Sequence, residues 1–566
     1  MALYSSDQQR LLFPQIANPN AKPSVYQPTI WSHDFVQSLD DKIPTILKEK
    51  ARELEKKVML LMDGSFRSTL ALLQHIDDIE RLGLGYRFRN HTRRALSSIY
   101  GINNGTTDGL EDSTLHEASL RFRILRQHGY NNASHDFLRR FKEDDNLIGC
   151  IHETDVKGLV SLYEASHLAF MEETDLHESK LFATEHLLKL RTKLQGEEHE
   201  YEDINHALET PLYHTMVRLE ARYYIDQYAK KQHANPLLLE LATLDFNMVQ
   251  AEFKTELKKV STWWKSIGLA HKLGFARDRL VECFFWTVGM VFEPQYHSCR
   301  VGLTKVGTLI TVIDDIYDVY GCPDELEIFT NAVKRWDINA MEHMPKCLQV
   351  GFEALYNTIN DMGSNTLIGQ DITPILTKVW GELLETFLVE AKWTRDKYIP
   401  RFEEYLDKAW LSVSGVVILT HGYFLINHEI KKDHVVESLE KYYDLIKWSS
   451  MIFRLYNDLA TSSDEIKRSG KSVNAITCYM HENGVCEEVA RAYVKALIDE
   501  TWKKLIKARV DCSQEYLATD PFIDMPINLA RISCCTYQHG DGHGAPDARA
   551  RDRVLSVIIE PITIEQ

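Results

Sequence analysis

Between Pro44 and Pro211 the chain contains no proline. Proline removes a backbone donor and clashes with the preceding helical turn. Its absence over so long a stretch, in a segment rich in Leu, Glu, Lys and Ala, therefore points to consecutive helices. The apolar pattern agrees: Leu159, Leu162, Tyr163 and Ser166 in VKGLVSLYEASHLAF recur at the helical period. Strict two-residue alternation is scarce, so the whole chain reads as all-α. Residues 1–30 differ, because Pro14, Pro19, Pro23 and Pro28 make them an irregular arm. Asn235-Pro236 can stop one helix and start the next, which sets a domain boundary there. No fixed-period repeat is evident, so an open solenoid is disfavoured.

Charge and apolar runs narrow the function. There are 82 acidic residues against 65 basic ones, a formal net charge of −17, which repels nucleic acid and anionic lipid. No nucleic-acid partner is expected. The most apolar window, Trp410 to Ile426, is interrupted by Ser412, Ser414, Gly415, Thr420, His421 and Gly422. It falls short of the roughly 20 apolar residues of a membrane span and reads as a buried helix. Ten cysteines without a Cys-x-x-Cys pair imply reduced thiols. The N-terminus has no apolar signal core, so a cytoplasmic location is expected, with a plastid as the alternative if a targeting segment has been removed.

Three segments carry chemistry. In VGTLITVIDDIYDVYG, Asp314, Asp315 and Asp318 interrupt an apolar run. On a helix they share an arc of roughly 100°. Three buried carboxylates on one face repel unless a cation sits among them, and oxygen donors suit Mg²⁺, with Mn²⁺ as a substitute. In IFRLYNDLATSSDEIKRSGK, Asn457, Thr461 and Glu465 form an oxygen-bearing stripe about 12 Å long, able to chelate a further ion. In LGFARDRLVECFFW, Arg277 and Arg279 flank Asp278, and guanidinium groups match phosphate oxygens. Arg454 and Lys471 add cations near the second stripe. Two metal stripes plus these cations describe a receptor for a magnesium-bound diphosphate. If the departing diphosphate leaves an allylic cation, the remaining wall should be aromatic, and Trp286, Phe285, Phe453 and Tyr537 are candidates.

The motifs RDR at 277–279, DDIYD at 314–318 and NDLATSSDE at 457–465 together resemble those of plant class I terpene synthases. The stretches IERLGLGYRF, LRFRILRQHGY, LVSLYEASHL and FEPQY extend the likeness over nearly the whole chain. The C-terminal run CTYQHGDGHGAPD, followed by RVLSVIIEPI, is similar to the angiosperm monoterpene and isoprene synthase branch. The resemblance implies two helical domains: an N-terminal α-barrel over 31–235 and a C-terminal catalytic bundle over 236–566. It also implies three Mg²⁺ ions, two on Asp314, Asp315 and Asp318 and one on Asn457, Thr461 and Glu465. Arg277, Arg279 and Arg454 would hold the diphosphate. Ser414-Gly415 resembles the family's pocket-lining helix break, and Tyr537 and Asp541 resemble residues near its lid.

Departures from the family pattern bear on the product. Members that make cyclic monoterpenes carry a tandem Arg pair about eight residues before an N-terminal Trp, whereas Ala21-Lys22 precedes Trp31 here. This favours an acyclic product or a C15 substrate. Isoprene-making members have a Phe seven residues before the first Asp, where this chain has Gly307. The expected activity is Mg²⁺-dependent ionisation of geranyl or farnesyl diphosphate to a volatile mono- or sesquiterpene, by a monomer or homodimer. The alternatives are a chain-elongating prenyltransferase, which would need a second Asp-rich motif, and a non-catalytic helical scaffold.

Overall fold

The computed structural model describes residues 26–64, 66–103, 113–131, 138, 141, 154–194, 199–364, 371–426, 439–469, 473–516 and 520–564. Among the described residues every regular element is helical, as the sequence pattern requires. Leu159, Leu162, Tyr163 and Ser166 are all buried on the Val156–Ser166 helix. Residues 1–25 of the expected arm lie outside the described residues, and residues 26–32 run without a helix to the start of His33–Ser38.

The first half is a set of helices packed on one another. Leu115–Gln127 packs on Val156–Ser166, which packs on Thr174–Lys193. Buried charges here are paired: Arg126 with Glu173 at 2.9 Å, and Arg81 with Glu220 at 2.8 Å. Such pairs fix geometry more than they add stability.

Helix Pro236–Ile267 begins where the sequence placed it. Asn235 Oδ1 accepts from the N–H groups of Leu237 (3.0 Å) and Leu238 (3.4 Å), and Pro236 fills the first turn. The helix ends at Gly268, whose left-handed φ of 68° a side chain would disfavour. Its first turns join the core of the N-terminal half through Leu238 and Leu241. Its later turns join the main core through Phe253, Leu257 and Val260. One long helix thus ties both halves together.

The second half closes a ring. Leu280–Met290 packs on His297–Asp315, which continues through a wide π turn, Ile316–Tyr320, onto Thr373–Asp396. Phe402–Ser412, Tyr443–Ser469 and Asp524–Tyr537 complete the circle back to Leu280–Met290. The stretch Phe402–Ile426 is long and apolar enough to cross a membrane, yet it is mostly buried inside this bundle. Its helix is also interrupted between Ser412 and Gly415, with Ser414 at φ 72°. No disulfide forms among the described residues.

Candidate functional site

The Asp-rich motif sits at the C-terminal end of His297–Asp315, where the last carbonyls already favour a cation. The sequence expectation treated it as straight α-helix. Instead the chain widens after Asp315, and the Gly321 N–H donates to the Ile316 carbonyl at 2.9 Å. Single wide turns of this kind concentrate at functional sites.

This turn divides the three carboxylates. Asp315 is fully buried and turned toward Arg277: its Oδ2 accepts from the Arg277 backbone N–H at 2.6 Å and from Nε at 3.2 Å. Its Oδ1 lies 2.9 Å from Nε, but the angle gives no second hydrogen bond. Asp314 accepts from the same guanidinium at 2.5 Å. Asp318 keeps its side chain exposed. The surrounding protein, followed by the charge of Asp314, pushes its carboxyl well above the usual range, while Arg277 opposes the shift. Of the three carboxylates expected to hold metal, Asp314 and Asp315 thus both meet Arg277, and Asp318 stands apart from it.

The second stripe lies on Tyr443–Ser469. Thr461 Oγ1 is buried and has no hydrogen-bond partner among the described residues. Asn457 Oδ1 accepts from Arg454 Nη1 at 3.1 Å. Arg454 also donates to the Ala409 carbonyl (3.0 Å) and to Ser412 Oγ (3.0 Å). The Glu465 side chain and Lys471 lie outside the described residues. Crowded carboxylates on one wall and an orphaned hydroxyl on the other suit hard divalent cations.

Two groups lie within electrostatic reach of both walls. Tyr537 is held by Asn457 and lies within the field of Arg277 as well as Arg454; burial chiefly, then Asp541, raises its hydroxyl above the ordinary range. Glu390, on Thr373–Asp396, accepts from Ser412 Oγ at 2.5 Å and feels Arg454, Asp314 and Asp458. Burial pushes its carboxyl up to about 7. The sequence reading missed Glu390, whose only signal was a carboxylate two residues after the buried pair Phe387-Leu388.

Aromatic rings form the adjoining wall. Trp286 stands 4.8 Å from Phe453, 5.9 Å from Tyr537 and 6.3 Å from His543 between centroids. Phe285, together with Trp286, borders a space of about 30 Å³ beside Trp31 and Glu282. Gly307 faces Cys283, where a Cβ would meet only ordinary contacts at 3.7 Å. Its carbonyl accepts from Thr311 Oγ1 at 3.0 Å, and Thr311 Oγ1 lies 3.2 Å from His543 Nε2. His543 was passed over in the sequence, although its run HGDGHG was noted. Burial, reinforced by Arg277, drops its imidazole to about 3, so it stays neutral.

A loop around Asp541 closes this side. Asp541 Oδ1 accepts from the N–H groups of His543 (3.2 Å) and Gly544 (2.7 Å). Gly544 passes so close that a Cβ would stand 3.3 Å from Arg277 Nη1. Arg279 secures the loop. It is 1% exposed and donates to the carbonyls of His543 (3.1 Å), Gly544 (3.0 Å), Asp278 (2.9 Å) and Gln27 (2.9 Å). Arg279 was expected to hold phosphate; in this structure its donors meet backbone carbonyls. Trp31 Nε1 donates to Glu282 Oε1 at 3.2 Å, and Tyr26 lies 4.8 Å under the Arg277 guanidinium. The break at Ser414-Gly415 lies beside the second stripe, where a Gly415 Cβ would meet Ser450 Cβ at 2.9 Å.

Comparison with known proteins adds three findings. The family model described as terpene synthase family, metal binding domain, matches residues 265–504, and the terpene synthase N-terminal domain model matches 30–208. The chloroplastic (E)-beta-ocimene synthase of Matricaria chamomilla var. recutita is 56% identical, over 97% of this chain and 92% of its own. The isoprene synthase of Populus x canescens, solved with three Mg²⁺ ions and dimethylallyl-S-thiolodiphosphate, superposes with a TM-score of 0.84 at 45% identity, over 94% of this chain and 99% of that one. A limonene synthase solved with 2-fluorolinalyl diphosphate gives a TM-score of 0.90 at 37% identity, over 95% and 99% respectively.

Proposed function

The chain belongs to the terpene synthase family, and on that premise we propose that it ionises geranyl diphosphate and releases an acyclic monoterpene. The observation that carries this reading is the pairing of two oxygen-rich walls, linked by Glu390 and Tyr537, with a cluster of aromatic rings. Asp314 and Asp318 on one side, and Asn457, Thr461 and Glu465 on the other, would hold Mg²⁺, which supplies positive charge to the departing diphosphate. The ocimene synthase relative supports a C10 acyclic product, and the three-metal isoprene synthase supports the ion count.

Each remaining group has work that follows from its chemistry. Arg277 and Arg454 lie where anionic oxygens would meet guanidinium donors. Trp286, Phe453 and Tyr537 offer π faces that steady a carbocation by about 1–2 kcal/mol each and do not add to it. The loop at 540–546, tied down by Arg279, keeps water away. Proton loss that ends the reaction needs an acceptor with a free lone pair. His543, kept unprotonated, offers one, alongside Tyr537, Asp541 and the released diphosphate. The helices over 31–235 act as a support for the bundle over 236–566. The chloroplastic ocimene synthase points to a plastid rather than the cytoplasm as the working compartment.

Incubation with C5, C10 and C15 prenyl diphosphates, with and without Mg²⁺, tests the proposal. The expected result is Mg²⁺-dependent turnover that is fastest with the C10 substrate and gives an acyclic hydrocarbon or alcohol. Exclusive use of C5 or C15, or a longer diphosphate formed when isopentenyl diphosphate is added, would overturn it.

A further inference from the structure

A second cavity, of about 330 Å³, shares no residue with the walls above. Its volume falls within the range of small-molecule sites. One wall is the face of helix Pro236–Ile267 that carries Leu244, Met248, Ala251 and Lys254; the others are the turn at Ile43 and the C-terminal tail at Ile559.

Most polar groups of this cavity are committed. Asn247 Nδ2 donates to the Ile562 carbonyl and its Oδ1 accepts from the Ile562 N–H, both at 2.8 Å. Gln250 Nε2 donates to the carbonyls of Ser556 (3.3 Å) and Glu560 (3.0 Å). These bonds fasten the tail over the helix.

Lys254 and the exposed Lys42 are the exceptions among the groups that border the cavity. Lys254 is 7% exposed, and among the described residues neither ammonium has a hydrogen-bond or ion-pair partner. The acids that act on Lys254 make their close contacts with other groups. Asp41 lies 3.0 Å from Lys258 Nζ and accepts from Thr255 Oγ1 at 3.0 Å, and Asp40, which also borders the cavity, accepts through Oδ1 from the Lys42 N–H at 3.1 Å. Burial pulls the Lys254 ammonium below the ordinary lysine range, against the pull of Asp40 and Asp41. Gln250 Oε1, on the same helix face, is buried without a partner among the described residues. An anion entering the cavity would give Lys254 the direct partner it lacks.

We propose that this cavity binds a small amphiphile, with an anionic headgroup on Lys254 and a short hydrocarbon body against Leu244, Met248 and Ile559. Carboxylate and phosphate headgroups share the required chemistry. A fatty acid and a prenyl phosphate are therefore the two sources to separate.

The test is calorimetric titration of the full chain with octanoate and with geranyl monophosphate, in buffer containing EDTA. At least one probe is expected to bind saturably to the wild type. Affinity should fall about tenfold or more in Lys254→Met and in Ala251→Phe, which fills the cavity, while diphosphate release from geranyl diphosphate stays at the wild-type rate in Lys254→Met. Binding of octanoate alone assigns a carboxylate ligand, and binding of geranyl monophosphate alone assigns a prenyl phosphate. If Ala251→Phe does not fold, Lys254→Met decides. The proposal is overturned by absence of saturable binding, or by equal affinity in wild type and Lys254→Met.

Discussion

Neighbouring carboxylates of one motif have different work. Asp318 keeps its side chain exposed, whereas Asp315 is buried against Arg277. Asp318→Asn should cut Mg²⁺-dependent diphosphate release by roughly 100-fold or more, because several kcal/mol of charge stabilisation leaves with the metal. Its melting temperature should match wild type. Asp315→Ala should lose activity and stability together, by up to about 3–5 kcal/mol, because the buried guanidinium then keeps only Asp314 as a partner. Denaturant titration of both variants separates the two roles; equal stability would refute the division. Gly307 belongs to the same scale. The space beside it is open to ordinary contact, so Gly307→Phe should fold and narrow the aromatic pocket. Product analysis should then show a shift from the C10 to the C5 substrate, and an unchanged preference would remove Gly307 from the pocket wall.

At the level of elements, two helix interruptions shape the site, and they were not equally legible. The break at Ser414-Gly415 was expected from the family resemblance, although the apolar run around it reads as a buried helix. The π turn after Asp315 was not, because Ile316 to Tyr320 has good helix-compatible spacing and nothing in its residue types marks a widened turn. The metal motif could therefore be found in the sequence, while the separate orientation of Asp315 could not. The setting of Arg279 was hidden for a related reason: an RDR triplet shows charge, but three of the four carbonyls that Arg279 meets come from distant loops and only one from neighbouring Asp278. The break also carries a prediction. A methyl group on residue 415 would press on Ser450 Cβ at 2.9 Å. Gly415→Ala should therefore destabilise the protein by about 1–3 kcal/mol, the usual cost of overpacking, and slow turnover by moving the Ser412 and Arg454 contact. Circular-dichroism melts and steady-state assays would show both effects, and a neutral variant would contradict the crowding.

Across the whole molecule, the halves meet through buried histidines. His214 stacks on Trp502 at 4.0 Å and stands edge-on to His167 at 5.2 Å. Burial lowers both imidazoles well below their ordinary value. The unfolded chain takes up a proton near pH 6.5 and the folded chain does not, so stability present above that pH is lost as pH falls. At pH 5 each such histidine costs about 2 kcal/mol. Glu164, raised to about 7 by burial, acts in the opposite sense: its contribution is complete below about pH 4.5 and is lost as pH rises toward 7. His214→Phe keeps the stack and removes one titration. Its fall in melting temperature between pH 7 and pH 5 should be smaller than that of wild type, and parallel curves would exclude His214 as a contributor. The all-α class and the N-terminal start of the 236–267 helix could be read from proline placement and capping chemistry. The continuity of the core across that start could not, because it depends on which distant side chains meet.

The grip of Arg277 on Asp314 and Asp315 has one more consequence. An internal guanidinium stands in for the mineral ion, so the folded scaffold does not depend on its supply. Chelation should silence the enzyme and leave its melting curve nearly unchanged, and adding Mg²⁺ back should restore turnover without a refolding lag. A cell short of magnesium would then hold a dormant but intact pool of the protein, ready to resume when the ion returns.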